Sequence, residues 1–323
     1  MSVVAALSSW LAIAAGAVAP VVAPPAPPAA VPAPPPARAV AADEVAASPA
    51  RRKAALVVVS GLPAPPHVGG VILFAGNVDA PRPPRTLVTT DQEGGTVKRF
   101  PDLPPFSSAA AMTSVAQALA AGRETGEALR REGVHIDFAP VLDSPDGPLG
   151  SRHFSKPAIA VAFGRGLVQG GAGACAKHFP GLGSTPESTD RARVRGIVRA
   201  FELKGFRQAI DAGLPCVMVG HAIYARFGER PASLEPRTYA LLRRLGFEGV
   251  AITDALDPLG RADEARNAVL AMRAGADLVL IPNPGAAAEA IEALVPLARA
   301  GALDEAVARV LAWRRSFGLT RLP

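Results

Sequence analysis

Eight short runs of apolar residues punctuate the chain: Leu56 to Val59, Val71 to Phe74, Leu87 to Thr90, Val134 to Phe138, Ala172 to Ala176, Pro215 to Val219, Val250 to Thr253 and Leu278 to Ile281. Most are continuously apolar rather than alternating. That is the pattern of parallel strands buried on both faces. Between the later runs lie stretches with Ala, Leu and Arg at helical spacing: Ala109 to Arg131, Ile197 to Asp211, Pro236 to Leu245 and Asp263 to Ala274. A further pair, Ala286 to Arg299 and Asp304 to Phe317, follows the eighth run. Strands alternating with helices in this number predict an α/β fold of the TIM type, a closed (β/α)8 barrel in a single domain.

The first two connections fit that pattern poorly. The segment joining the first and second runs is GLPAPPHVGG, and AGNVDAPRPPRT joins the second to the third. A parallel crossover through a helix needs about a dozen residues, and both segments are rich in proline. The helices between the first three strands are therefore expected to be missing or shortened, leaving an open or eroded wall, unless one of these runs is not a barrel strand.

Upstream of the barrel the pattern changes twice. Residues 1–23 form an apolar, signal-like segment in which Ala17-Val18-Ala19 resembles a cleavage site, although no Lys or Arg precedes it and Pro20 follows. Export to the cell envelope or the extracellular space is expected, with no stable membrane span after processing and with the cytoplasm as the alternative location. Residues 24–50 are dominated by Pro, Ala and Val and read as a semi-extended linker. The folded domain is expected over 51–323.

Composition narrows the partners. The chain has 323 residues and a formal net charge of +6. Its basic residues are scattered, with neither an aromatic-interleaved basic patch nor a recognition helix, so a nucleic-acid partner is not expected. An anionic envelope polymer suits the charge equally well. The two cysteines, Cys175 and Cys216, each sit in an apolar run and are expected as two buried free thiols.

The chemistry collects where the runs end. The third leads into Asp91-Gln92-Glu93-Gly94-Gly95 with Arg99 beyond, and the fourth into Asp137, Pro140 and Asp143, then a loop to Arg152 and His153. The fifth gives Lys177 and His178, the sixth Gly220-His221 and the seventh Thr253-Asp254. Any one of these has a plain explanation as a capping Asp, an ion pair or a backbone-bonded His. Five polar termini on one face of a barrel point to a site, because that is where barrel enzymes keep their chemistry. Carboxylates mixed with Arg, Lys and His, without metal-ligand spacing, suit a polyhydroxylated ligand and call for neither metal nor cofactor. An ionised Asp254 on a rigid strand end can act as a nucleophile, and glycoside hydrolysis then needs a second group, which the 176–190 loop can supply. A barrel aldolase with Lys177 as Schiff-base lysine is the competing chemistry.

Four blocks, DQEGGTVKRF, CAKHFPGLGSTPESTD, VMVGHAIYARFGERPASLEP and LGFEGVAITDALD, resemble the motifs of glycoside hydrolase family 3, in particular its single-domain bacterial β-N-acetylglucosaminidases of the NagZ type. The resemblance runs from about Val57 to Leu319. It implies a retaining mechanism with Asp254 as nucleophile, Asp91, Arg99, Arg152, Lys177, His178 and His221 in sugar-binding or site-shaping positions, and a carbohydrate partner, a terminal N-acetylglucosamine commonly from peptidoglycan. The chain departs from the family where the KHFPG loop ends in an Asp-Ser/Thr-His triplet carrying the acid/base His. Ser188, Thr189 and Asp190 stand there instead. Either Asp190, or second to it Glu187, supplies the proton, or the chain binds sugar without turning it over.

Overall fold

The computed structural model describes residues 42–323. All eight apolar runs contribute strands to one closed, all-parallel barrel: β1 (Val58–Ser60), β2 (Gly70–Leu73), β3 (Leu87–Thr90), β4 (Ile136–Asp137), β5 (Gly173–Phe179), β6 (Cys216–Val219), β7 (Val250–Ala255) and β8 (Leu278–Ile281). They follow one another round the barrel in chain order, and β8 closes onto β1 through Val58↔Val279, Val59↔Leu280 and Ser60↔Ile281. Their apolar continuity has a direct cause. Alternate residues face two separate cores, so every barrel-strand position is buried except the last two of β7, at the mouth. Val59, Ile72, Leu87, Ile136, Met218, Ile252 and Leu280 fill the bore, while Val58, Val71, Val88, Val217, Ala251 and Val279 pack under the helices.

Nine helices are described: α1 (Ala42–Ala47), α2 (Ala50–Leu56), α3 (Val115–Arg131), α4 (Pro157–Gln169), α5 (Ala200–Asp211), α6 (Pro236–Arg244), α7 (Glu264–Ala274), α8 (Pro284–Arg299) and α9 (Asp304–Ser316). Local signals start several of them. Ser114 accepts a hydrogen bond from the Gln117 amide at the start of α3, and Asn283 accepts from Gly285 and Ala286 ahead of α8, whose first residue is Pro284. Helices α3 and α4 meet backbone to backbone. A Cβ at Gly122 would lie 2.1 Å from the Phe163 carbonyl oxygen, so only glycine permits that approach.

Three expectations need correction. No helix lies between β1 and β2 or between β2 and β3, as anticipated, yet the wall there is not open: Val59 pairs with Gly70, and Gly70 to Leu73 pair with Leu87 to Thr90. Strand pairing needs backbone register, not a covering helix. The cover comes from the far end of the chain, where the fully buried Arg314 of α9 donates to the carbonyls of Gly69 (3.1 Å), Arg85 (2.5 Å) and Arg321 (3.2 Å). Secondly, the folded part begins before Arg51. Val45 of α1 is buried in the helix-facing core and Glu44 pairs with Arg315, which fastens α1 to α9. The signal-like segment 1–23 and the linker as far as residue 41 lie outside the described residues. Among those described, no helix is long and apolar enough to cross a membrane. Thirdly, Cys175 and Cys216 are not free thiols. They are register partners on β5 and β6 and form a disulfide inside the bore.

Arg314 gives the first test. Arg314→Met keeps the length but removes the charged donor from all three carbonyls, leaving Gly69 only the Leu87 amide, and hydrogen bonds to a charged group carry about 1.5–3 kcal/mol each before compensation. Urea unfolding should show a loss of at least about 2 kcal/mol; an unchanged midpoint would mean the helix-less wall holds itself together.

Candidate active site

The polar strand ends converge at the C-terminal mouth of the barrel. Immediately after β3 the chain turns into a two-stranded hairpin, Gln92–Gly94 against Val97–Lys98. The Gly94-Gly95 turn takes φ of 90° and 60°, a region that favours glycine. Buried Gln92 locks this hairpin: its side-chain oxygen accepts from the Arg99 and Phe100 amides and its Nε2 donates to the carbonyls of Phe100 and Pro104. Asp91 and Glu93 are thereby held on the inner side of the mouth.

Lys177, from β5, meets both of them. Its Nζ lies 2.7 Å from Asp91 Oδ1 and 2.6 Å from Glu93 Oε1. Arg152 grips Glu93 through Nε (2.8 Å) and Nη2 (2.9 Å), and Arg99 Nη2 is 3.3 Å from Asp91 Oδ2. Burial alone would push both carboxyls up. Lys177, Arg99 and Arg152 outweigh it and hold Asp91 down at about 2, and Lys177 and Arg152 likewise lower Glu93. Burial also works against the Lys177 ammonium, but the two carboxylates raise its pKa above the ordinary lysine value. A Schiff-base lysine needs a neutral amine, so the aldolase alternative is set aside.

The second half of the mouth is organised by Asp143. Its Oδ2 lies 2.7 Å from His178 Nδ1, and its Oδ1 accepts from the Leu182 amide at 2.7 Å. Burial opposes protonation of His178, but Asp143, and after it Asp254, raise its pKa. The other ring nitrogen, Nε2, faces Asp254 Oδ2 at 3.9 Å. Asp254 is the penultimate residue of β7, its side chain partly accessible, with Oδ1 accepting from the Ala255 amide at 2.9 Å. His221 lies beside it with both nitrogens engaged: Nε2 donates to the Ala255 carbonyl (2.5 Å), which leaves Nδ1 to accept from Ser233 Oγ (2.7 Å). His221 thus shapes the strand that carries Asp254.

Of the residues singled out from sequence, Asp91, Arg99, Arg152 and Lys177 form one network, while His178, Asp254 and His221 form the other. Asp190 joins neither. The loop is fastened through Thr185, by Tyr224 Oη donating to the Gly181 carbonyl and by the Gly183 amide donating to Glu202. Beyond that it runs outward, and Asp190 is exposed with its carboxylate accepting from Ser188 Oγ at 3.1 Å. Two carboxylates named among the strand ends without a role of their own, Glu93 and Asp143, prove central to the two networks. Glu93 stands two positions from Asp91. Among the described residues no three His, Cys, Asp or Glu side chains converge to hold a metal ion.

Residues 77–313 match the model of the glycosyl hydrolase family 3 N-terminal domain. A β-hexosaminidase of Methylobacillus flagellatus is 34% identical over 259 residues, covering 68% of this chain and 74% of the relative. Among solved structures, a family 3 β-N-acetylglucosaminidase from Paenibacillus sp. str. FPU-7 superposes with a TM-score of 0.76 at 27% identity, over 84% of this chain and 63% of that longer one. A β-N-acetylhexosaminidase from Beutenbergia cavernae does so with a TM-score of 0.74 at 28% identity, over 83% and 99%.

Asp137 yields a pH test. Its Oδ1 accepts from the Gln92 amide, but Oδ2 is buried without a partner. Burial raises this carboxyl to about 8, against 3.8 for the free group. Across that window the folded chain holds a proton that the unfolded chain has released, so stability falls as pH rises from about 4 to 8. Asp137→Asn keeps the acceptor and removes the titration. The variant's unfolding midpoint should drop less over this range than the wild type's, and parallel profiles would overturn the assignment.

Proposed function

This chain belongs to glycosyl hydrolase family 3, and on that basis we propose that it is a β-N-acetylhexosaminidase which removes terminal N-acetyl-β-glucosamine from cell-wall-type glycans with retention of configuration. The observation that carries the reading is the placement of Asp254: a partly accessible carboxylate on a rigid strand end, facing the Asp143-oriented His178. In the mechanism, Asp254 attacks the anomeric carbon while the glycosidic oxygen takes a proton and leaves. Water then cleaves the glycosyl–aspartate ester with help from the same acid/base group. His178 in its protonated form sets a positive charge beside the Asp254 carboxylate, 3.9 Å from Oδ2. Asp91, Arg99 and Arg152 grip sugar hydroxyls through charge-assisted hydrogen bonds.

The proton donor is the open part of this mechanism. Asp190, with Glu187 second to it, is the group on the loop that could swing over a bound sugar. Closure of the loop over the sugar would bring that carboxyl within reach of the glycosidic oxygen, as a general acid requires. The exposed position of Asp190 favours a second reading, a barrel that binds cell-wall sugar without hydrolysing it. Export fits either reading and draws support from the buried disulfide, since such bonds persist in oxidising compartments.

Hydrolysis of p-nitrophenyl N-acetyl-β-glucosaminide between pH 4 and 8 separates these readings. The wild type should turn over, Asp254→Ala should lose turnover while keeping its unfolding midpoint, and Asp190→Ala should slow glycosides with poor leaving groups by roughly 10²-fold or more. The nitrophenolate needs little protonation to leave. A folded wild type that fails even on this substrate is a binding protein.

A further inference from the structure

Beside the mouth lies a cavity of about 320 Å3 that the mechanism above does not use. Its walls come from three connections and a helix. Arg193 lies on the loop after β5, Arg230 on the loop after β6, and Arg266 on α7, with Leu259 from the turn after β7 between them. Among the described residues none of the three arginines makes an ion pair or a side-chain hydrogen bond. In the same stretch of chain Arg195 is paired with Glu229 and Arg199 with Asp146. The only carboxylate in the lining is Asp263.

We propose that this cavity is a binding site for an oxyanion, a carboxylate or phosphate group. Three exposed arginines line one concavity and raise its potential, and an anion seated there would offset that charge. The guanidinium fork matches two oxygens of a carboxylate or phosphate at once, which a lone ammonium does not. Asn267, in the same wall, is 6% exposed and its amide nitrogen has no partner, so the site also holds an unused donor. The volume accommodates the anionic group with a few attached atoms.

The site's position gives the anion a second effect. His221 lines the cavity and bonds to the carbonyl of Ala255, next to Asp254, while Thr189, also in the lining, immediately precedes Asp190. An oxyanion bridging Arg193 to Arg230 and Arg266 therefore ties the outward loop to the barrel. The anion arrives either on the group leaving from the sugar or free from solution.

Binding can be tested without turnover, so an inactive glycosidase would not decide it. The full chain is titrated calorimetrically with inorganic phosphate and with glucuronate at low chloride. At least one should bind saturably and one to one, more than tenfold more weakly in Arg230→Gln/Arg266→Gln and unchanged in Asp254→Ala. Arg266→Gln alone should give an intermediate loss. Absence of saturable binding by both, or binding that the arginine substitutions leave intact, overturns the proposal. Turnover then distinguishes the sources. A preference for a glucuronate over a glucose aglycone that the double variant loses marks an anion carried by the substrate; a saturable effect of phosphate on p-nitrophenyl glycoside hydrolysis, lost in the same variant, marks a free one.

Discussion

The barrel mouth depends on one ammonium group. Lys177 is 2% exposed and touches Asp91 and Glu93, two carboxylates on a single turn that could not both stay ionised beside each other without it. Removing one partner from a buried charge network costs about 3–5 kcal/mol, because the rest is stranded without solvent. The consequence is geometric as much as energetic. Once Lys177 fixes the two carboxylates, Arg152 and Arg99 have defined targets, Arg99 just beyond the hairpin and Arg152 from a segment 59 residues beyond Glu93.

Strand β5 divides the work between neighbouring residues. Lys177 serves the hairpin side and His178 faces Asp254. Asp143 couples the second network to the loop, since the carboxylate that orients His178 also accepts from the Leu182 amide. The first turns of the loop thus belong to the rigid site and its later residues do not.

Much of the fold was legible because burial on both faces writes itself as unbroken apolar runs, and the polar residue ending each run marks the mouth. What was illegible had identifiable physical reasons. Cys175 and Cys216 are 41 residues apart, and only the register between β5 and β6 makes them partners. Helix α1 lies in an Ala-rich stretch whose few informative residues, Glu44 and Val45, gain meaning only against α9. Proline-rich connections correctly signalled absent helices but could not reveal the closed wall. The four motif blocks located the site, whereas the direction taken by the loop beyond Thr185 depends on contacts such as Tyr224 to Gly181 that no local pattern announces.

The reach of Arg314 across the helix-less wall also bears on how the protein is made. Strand β1 finds its second neighbour only in β8, and the carbonyls of Gly69 and Arg85 find their charged donor only in α9. During vectorial synthesis the first strands leave the ribosome early and wait for almost the entire chain. Until then they present an unpaired edge to their surroundings. Sealing of the barrel is therefore a late, long-range event, and nascent chains of this protein have more need of chaperone shelter than its regular architecture would imply.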